Sequence, residues 1–300
     1  MDYDRRPERY INPYTDFGFK KLFGTDMNKE LLISFLNALF DGKEEVKDIT
    51  YLNTEHIGSL ELDRKAVFDV YCENEKGEKF LVEMQKGEQE FFKDRSIYYV
   101  TFPIREQAKR GDWNYELKAV YAVSILNFVF DQRDDKYYHH EIKLMDTGTN
   151  TVFYDKLTLF YLEMPKFNKT EDELHSMFDK WLFVLKNLSS LFERPAALQE
   201  RVFKKLFEAA EIARFNPTEL NQYEDSLKNF RDLYSVISTA EKKGHAEGFT
   251  EGRAEGRAEG FTEGANQKAV EIAREMLAAG MPVDMIANLT KLSKNQILEL

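Results

Sequence analysis

The sequence predicts an α/β core followed by an α-helical region, and three observations carry that expectation. Two β-rich stretches, 65–72 (KAVFDVYC) and 79–85 (KFLVEMQ), flank the turn-forming ENEKGE and read as a hairpin. The most apolar run, 119–130 (AVYAVSILNFVF), follows a helical segment and reads as a buried central strand. From Thr170 onward the hydrophobic period becomes helical. The order is therefore helices, hairpin, helix, strand and further strands over roughly the first 165 residues, then helices.

Each element has a local reason. Thr15 and Asp16 precede a helical pattern of Phe17, Phe19, Leu22 and Phe23 that ends at Gly24. A second helix spans 28–40, with Leu31, Leu32, Phe35, Leu36 and Leu39 on one face, and Asp41-Gly42 stops it. A short strand is expected at 46–51. After the hairpin, 91–110 reads as an amphipathic helix. Beyond the central strand, 137–145 and 157–164 read as two more strands. Thr170 opens a capping box with Glu173. Helices continue to about Gly244, broken near Pro195 and Pro217, and read as packing elements.

Residues 244–264 (GHAEGFTEGRAEGRAEGFTEG) place glycine at every fourth position. That stripe drifts about 40° per repeat around an α-helix. Six glycines cost a helix roughly 5 kcal/mol relative to alanine. The segment reads either as a mobile linker or weak helix, or as a glycine-mediated contact between helices. Order returns at 267–300, where IANLTKLSKNQIL has the pattern of a small helix-turn-helix. Lys268, Arg274, Lys291 and Lys294 there balance Glu271, Glu275, Asp284 and Glu299. A balanced unit is a poor phosphate binder, so both DNA contact and protein packing stay open. The expected division is a core at 1–168, a helical accessory region at 169–243, the repeat at 244–265 and the terminal unit at 266–300.

Composition limits the function classes. The chain has 300 residues, 43% hydrophobic and 14% aromatic, enough for a sizeable core. A formal net charge of -11 argues against a DNA-coating protein but leaves hydrolysis open, because phosphate contact needs only a local basic strip. Cys72 is the sole cysteine, so no intramolecular disulfide forms. The opening MDYDRRPERYINPY lacks the apolar core of a secretory signal, and no stretch approaches membrane-spanning length. The expectation is a cytoplasmic protein. His139-His140 is an isolated pair whose side chains alternate, and no phosphate-cradling glycine loop follows a strand, so a nucleotide cofactor is not expected.

The hairpin holds the chemistry. Asp69 and Glu83 lie equally far from Lys76 at the middle of the turn. Folding about that point sets the two carboxylates opposite each other, about 5 Å apart at Cβ. Bare acids there repel unless a divalent cation lies between them, and oxygen donors suit magnesium or manganese. Gln85 shares Glu83's face, whereas Met84 and Lys86 point away, although the Met84 backbone carbonyl can reach a metal. Lys65 shares Asp69's face if the strand is regular, which would place positive charge beside a phosphate. The competing reading is a pair of solvent-facing acids on an ordinary hairpin. Two acids among Val67, Tyr71 and Leu81 count against it, since acids on an apolar face are costly.

The stretch RKAVFDVYCENEKGEKFLVEMQKGEQEFFKDRSIYYV resembles the PD-(D/E)xK nucleases, and specifically the recombination-promoting nuclease / putative transposase (Rpn) family. The opening INPYTDFGFKKLFG, the Gly/Glu/Arg repeat and the small helical end match the same family, so the resemblance spans nearly the whole chain. It implies a restriction-endonuclease-like core, a mixed sheet flanked by helices, and a metal-dependent DNA endonuclease tied to recombination or mobile elements. It implies Asp69 and Glu83 as the two acids and puts Gln85 in the usual lysine position. The missing positive charge is then sought at Lys65 or Arg95. Asp16 stands where related enzymes carry an acid on the first helix, to hold a metal water or to serve as a helix cap. Arg95, Tyr98 and Tyr99, on the helix after the hairpin, pack against the sheet or position phosphate. Enzymes of this type often work in pairs, so a homodimer is expected. The alternative is a catalytically silent DNA-binding or scaffolding protein that keeps the fold.

Overall fold

The computed structural model describes residues 8–56, 66–108, 111, 113–130 and 136–300. The chain divides into two compact units, Met1–Tyr234 and Ser235–Leu300. Among the described residues, no helix is long and apolar enough to cross a membrane.

The first unit opens with α1 (Asp16–Phe23) and α2 (Lys29–Phe40). The strands are β1 (Ile49–Tyr51), β2 (Glu55–His56), β3 (Ala66–Val67), β4 (Val70–Asn74) and β5 (Lys79–Gln85). Next come α3 (Phe92–Glu106), β6 (Val120–Leu126), β7 (His139–Asp146) and β8 (Thr151–Glu163). Helices α4 (Met177–Asn187) and α5 (Arg201–Ala210) follow, then α6 (Pro217–Ala278), whose range crosses the unit boundary.

Six strands form one mixed sheet in the order β1-β4-β5-β6-β8-β7. The β4–β5 hairpin is antiparallel, β5, β6 and β8 run parallel, and β7 returns antiparallel along β8. Strand β6 is buried along its whole length, as its unbroken apolar run requires. Helices α1, α2, α4 and α5 cover one face, where Trp181 packs against Phe23, Phe35 and Phe203. Helix α3 covers the other face, over Phe68, Tyr71, Leu81, Val120 and Ala122. The expected α/β core with a mixed, helix-flanked sheet is the observed one.

Several boundaries differ from the sequence reading. The strand expected at 46–51 shrinks to Ile49–Tyr51, because the Asn37 amide binds both the N–H and the C=O of Val46, each at 2.8 Å. The single strand expected at 65–72 is broken. Its first part pairs with β2 as a separate two-stranded sheet, and β4 starts only at Val70. Helix α3 starts at Phe92 because Phe91 is left-handed, with φ 59°. It stops early because the Gln107 side chain accepts from the Lys118 N–H at 2.7 Å and turns the chain toward β6. Strand β8 begins six residues before the expected 157, since the β7–β8 arm is exposed and bulged there and lacks an apolar pattern.

In the second unit, the end of α6 packs with α7 (Val283–Thr290) and α8 (Lys294–Leu298) around Ala273, Ile286, Leu292 and Ile297. Ser293 and Gln296 cap α8 reciprocally. The four-residue glycine repeat lies inside α6. A Cβ built on any of Gly244, Gly248, Gly252, Gly256, Gly260 or Gly264 meets nothing within 4 Å.

Candidate active site

The hairpin turns about Lys76. The Asn74 side-chain oxygen accepts from the Lys76 and Glu78 N–H groups, both at 3.0 Å, and Gly77 takes a left-handed φ of 79°. Val70 then opposes Val82, and Glu73 opposes Lys79. Continued by one residue, that register sets Asp69 against Glu83. Asp69 itself lies in a bend just before β4, with Phe68 buried beneath it against Tyr71, Tyr99 and Phe102. The Phe68 N–H donates to the Thr54 carbonyl at 2.9 Å, which pins the bend.

The two acids meet through the backbone. The Asp69 N–H donates to Glu83 Oε1 at 3.3 Å, and the Met84 N–H donates to Asp69 Oδ2 at 2.8 Å. Each carboxylate thus occupies a ladder position at the end of the hairpin. Strand alternation sends Phe80, Val82 and Met84 into the core beneath α1 and α2. Glu83 and Gln85 share the opposite face with Leu81, toward α3. The Gln85 amide nitrogen donates to Glu83 Oε2 at 3.0 Å. Arg95 on α3 donates to the Gln85 amide oxygen and to that of Gln89, and its guanidinium lies 5.8 Å from the Tyr99 ring centre.

Asp69 faces an open cleft of about 790 Å³, whose lining includes Asp16, Lys20, Lys21, Asp225 and Ser226. Glu83 and Gln85 line a separate cavity of about 20 Å³ with Phe92, Arg95 and Ser124. Space of that size holds about one water.

Burial dominates the electrostatics. It pushes the Asp69 carboxyl up; the Met84 N–H opposes the rise, Asp16 adds to it, and Lys20 and Lys86 oppose it. Burial and then the Asp69 charge push Glu83 up to about 8, against the Asp69 N–H, Arg95 and Gln85. Both acids resist ionisation, Asp69 chiefly through burial and Glu83 through burial and the Asp69 charge, which leaves a site short of positive charge.

The expected site residues fare differently. Asp69, Glu83 and Gln85 are brought together, and Arg95 joins them. Met84 contributes its N–H, while its side chain is buried in the core. Lys65 lies outside the described residues, and the break before β4 removes the regular strand on which its shared face depended. The cap of α1 is Thr15, not Asp16: the Thr15 hydroxyl accepts from the Gly18 N–H at 3.0 Å and donates to the Asn12 carbonyl at 2.7 Å. The turn is so close that a Cβ on Gly18 would sit 2.2 Å from the Asn12 oxygen. Asp16 is left in the first turn, paired with Lys20 at 3.2 Å. Tyr99 packs edge-on against Phe68, and Tyr98 is largely exposed against Phe102. Sequence reasoning missed Lys20; its signal was the four-residue spacing from Asp16, which puts both on one face of α1.

The donor set suits a hard divalent cation. It offers carboxylate oxygens at two half-buried acids, the Asp69 charge raising Glu83, and no soft ligand. Among the described residues, no group of three or more His, Cys, Asp or Glu stands ready for a metal, so two acids and backbone oxygen would be the protein's share.

A mixed sheet with helices on both faces, and one acid at the bend before β4 set against another on β5, defines the PD-(D/E)xK core followed by a helical region. The chain belongs to the PD-(D/E)XK nuclease family transposases, whose family model matches residues 13–240. The model for the Rpn/YhgA-like nuclease family C-terminal HTH domain matches residues 266–300. No curated protein and no solved structure matches the chain.

Proposed function

We propose that the protein is a magnesium-dependent DNA endonuclease, with manganese able to substitute, serving recombination or a mobile element. The observation that carries this is the pair of half-buried acids, Asp69 and Glu83, held against each other by two backbone hydrogen bonds. Asp69, Glu83 and the Met84 carbonyl would hold the metal. Once bound, the metal supplies a Lewis acid for the phosphate and a water of lowered pKa. The protein's own part is placement. Asp69 opens onto the cleft where a phosphodiester can enter, and Lys20 stands across from it with positive charge. Gln85 stands beside Glu83 on the α3 side, next to a cavity of one-water size.

The C-terminal unit is proposed as a DNA contact, on the strength of its match to a helix-turn-helix family. Its balanced charge favours base-edge or protein contact over phosphate attraction. The mobile-element role rests on the family's description alone. The same division of the chain into core, helical region, glycine repeat and terminal unit is retained as part of this proposal, as are a homodimer and a cytoplasmic location.

The test is nicking of supercoiled plasmid by the full chain with magnesium, with an RNA substrate in parallel. Asp69→Ala is expected to abolish nicking. Equal cleavage by wild type and variant would show the site misassigned. DNA binding without cleavage by wild type would favour a silent scaffold, and preferential loss of the RNA substrate would move the substrate class.

A further inference from the structure

The six-stranded sheet ends on an open strand. Among the described residues β7 pairs with β8 alone, so its other side presents unpaired backbone groups. We propose that this edge joins the β7 edge of a second copy of the chain in an antiparallel pair, with the twofold axis at Ile142. This interface rests on the homodimer of the proposed function and needs nothing of the metal site.

The backbone limits which residues can meet. The Glu163 N–H donates to the Tyr138 carbonyl at 2.8 Å, in the same register that opposes His140 to Tyr161 and Ile142 to Leu159. Hydrogen-bonding direction alternates along an antiparallel strand. Tyr138, His140 and Ile142 therefore turn their backbone groups to β8, and His139, Glu141 and Lys143 turn theirs outward. Self-pairing must oppose outward residues to outward residues, so the axis passes through a residue and not between two.

Charge then selects the residue. An axis at Glu141 or at Lys143 opposes like charges at the centre of the ladder, which is destabilising. An axis at His140 centres the contact on a side chain already buried against Glu163 in its own chain. An axis at Ile142 opposes Glu141 to Lys143 of the second copy, twice, and Ile142 to itself. Glu141 is held at 2.8 Å from Lys143 and from Lys43 in its own chain, so the acid stands in place before a partner arrives.

The apolar side chains fit the same axis. Ile142 is 44% exposed beside the buried Leu159, on the face that α3 covers further in. Tyr137, just before β7, and Leu144 and Met145, near its end, are about half exposed. Antiparallel pairing lays the end of one strand along the start of the other, so these groups cover each other. The ladder is short, because bulges interrupt β7 after Lys143. It suits a reversible dimer rather than an obligate one.

The experiment uses the full chain without metal. Cys72, the sole cysteine, is buried, so Ile142→Cys adds a single surface thiol. Residues opposed in a non-hydrogen-bonded pair have Cα atoms about 4.5 Å apart, within disulfide reach. Mild oxidation should give a disulfide-linked dimer on a non-reducing gel. Leu144→Cys, equally exposed, should link at least about tenfold more slowly, because its two copies would stand roughly 13 Å or more apart. Glu141→Lys and Lys143→Glu should each weaken the dimer about tenfold or more in sedimentation equilibrium, since each opposes like charges in both pairs. Mixing the two variants should restore the dimer, because one copy then presents two lysines and the other two glutamates. Thermal melts check that each variant is folded, and Ile142→Cys, which touches no charge, carries the test if a charge variant is not. A dimer that survives both charge variants, or equal linking rates at positions 142 and 144, would overturn the edge pairing alone. A wild-type chain that stays monomeric at high concentration would overturn the homodimer with it. Neither readout involves nicking, so failure of the metal site leaves the interface standing.

Discussion

Glu83→Gln should stabilise the metal-free protein at alkaline pH and leave it unchanged at acid pH. Burial and the Asp69 charge raise Glu83 from an ordinary 4.5 to about 8 in the folded chain. A group raised in this way contributes its full share of stability below its unfolded value. That share is lost as pH climbs from about 4.5 through about 8, because the unfolded chain gives up the proton more readily. The ceiling on the loss is roughly 5 kcal/mol above pH 8, at about 1.4 kcal/mol per tenfold change in proton affinity. The real figure should be about half of that, since Asp69 and Glu83 share one repulsion and relax together. Glutamine keeps the shape and the hydrogen-bonding reach but never ionises. For a unit of this size, about 2 kcal/mol moves the melting temperature by roughly 4–8 °C. The assay is a melt of EDTA-treated protein at pH 5, 6.5 and 8, wild type beside variant. Magnesium should then raise the wild-type melting temperature at pH 8 and leave the variant much less affected. Parallel wild-type and variant profiles across that range would refute the reasoning, because Glu83 would then carry no unfavourable charge.

Lys20→Ala should shift the acid limb of the pH–nicking profile upward, because Lys20 favours the ionised form of Asp69 and its loss favours the protonated one; an unmoved limb would remove Lys20 from the site. Thr15→Ala should cost about 1 kcal/mol and lower the melting temperature by a few degrees, through the lost cap of α1. Trp181→Ala should cost roughly 3–5 kcal/mol, because the ring is fully buried where α4 meets α1, α2 and α5. Replacing Gly248, Gly252 and Gly256 with alanine should raise helix content by circular dichroism and slow proteolysis, at about 1 kcal/mol each, since no neighbour opposes the added Cβ.

Much of the fold was legible because it follows from strict local periods. The apolar run at 119–130 could only be a buried strand or helix, and its β-branched content decided for β6. The hairpin register was legible because one turn sets it: once Asn74 and Gly77 close the chain around Lys76, every opposed pair sums to the same place. The break at Phe68–Asp69 was not legible. KAVFDVYC alternates well enough for one strand, and only tertiary packing of Phe68 under Tyr99 and Phe102 diverts it. The partners of Gln85 were also hidden, because the turn from β5 to α3 decides which helix residue returns to the strand. Position 95 was suggested by charge; its bond to Gln85 needed the fold.

The break before β4 bears directly on the chemistry. In an unbroken strand the Asp69 side chain would stand perpendicular to the sheet, and the Met84 N–H would seek a backbone carbonyl. At the bend, Asp69 Oδ2 takes that N–H itself, and the Asp69 N–H turns to Glu83 Oε1. The two carboxylates are therefore oriented by backbone groups before any cation arrives, so little side-chain entropy remains to be lost on binding. Repulsion between them stays uncancelled, which holds the site ready for positive charge. An Asp69→Asn variant should separate these effects. It can keep the bond from Met84 through its amide oxygen but removes the repulsion, so the metal-free protein should melt higher at pH 8 while manganese binding weakens by tenfold or more, as expected when one of two charged ligands becomes neutral. If the variant instead melts lower at every pH, the bend is held by the charge of Asp69 rather than by its hydrogen bond, and the preorganised site is wrong.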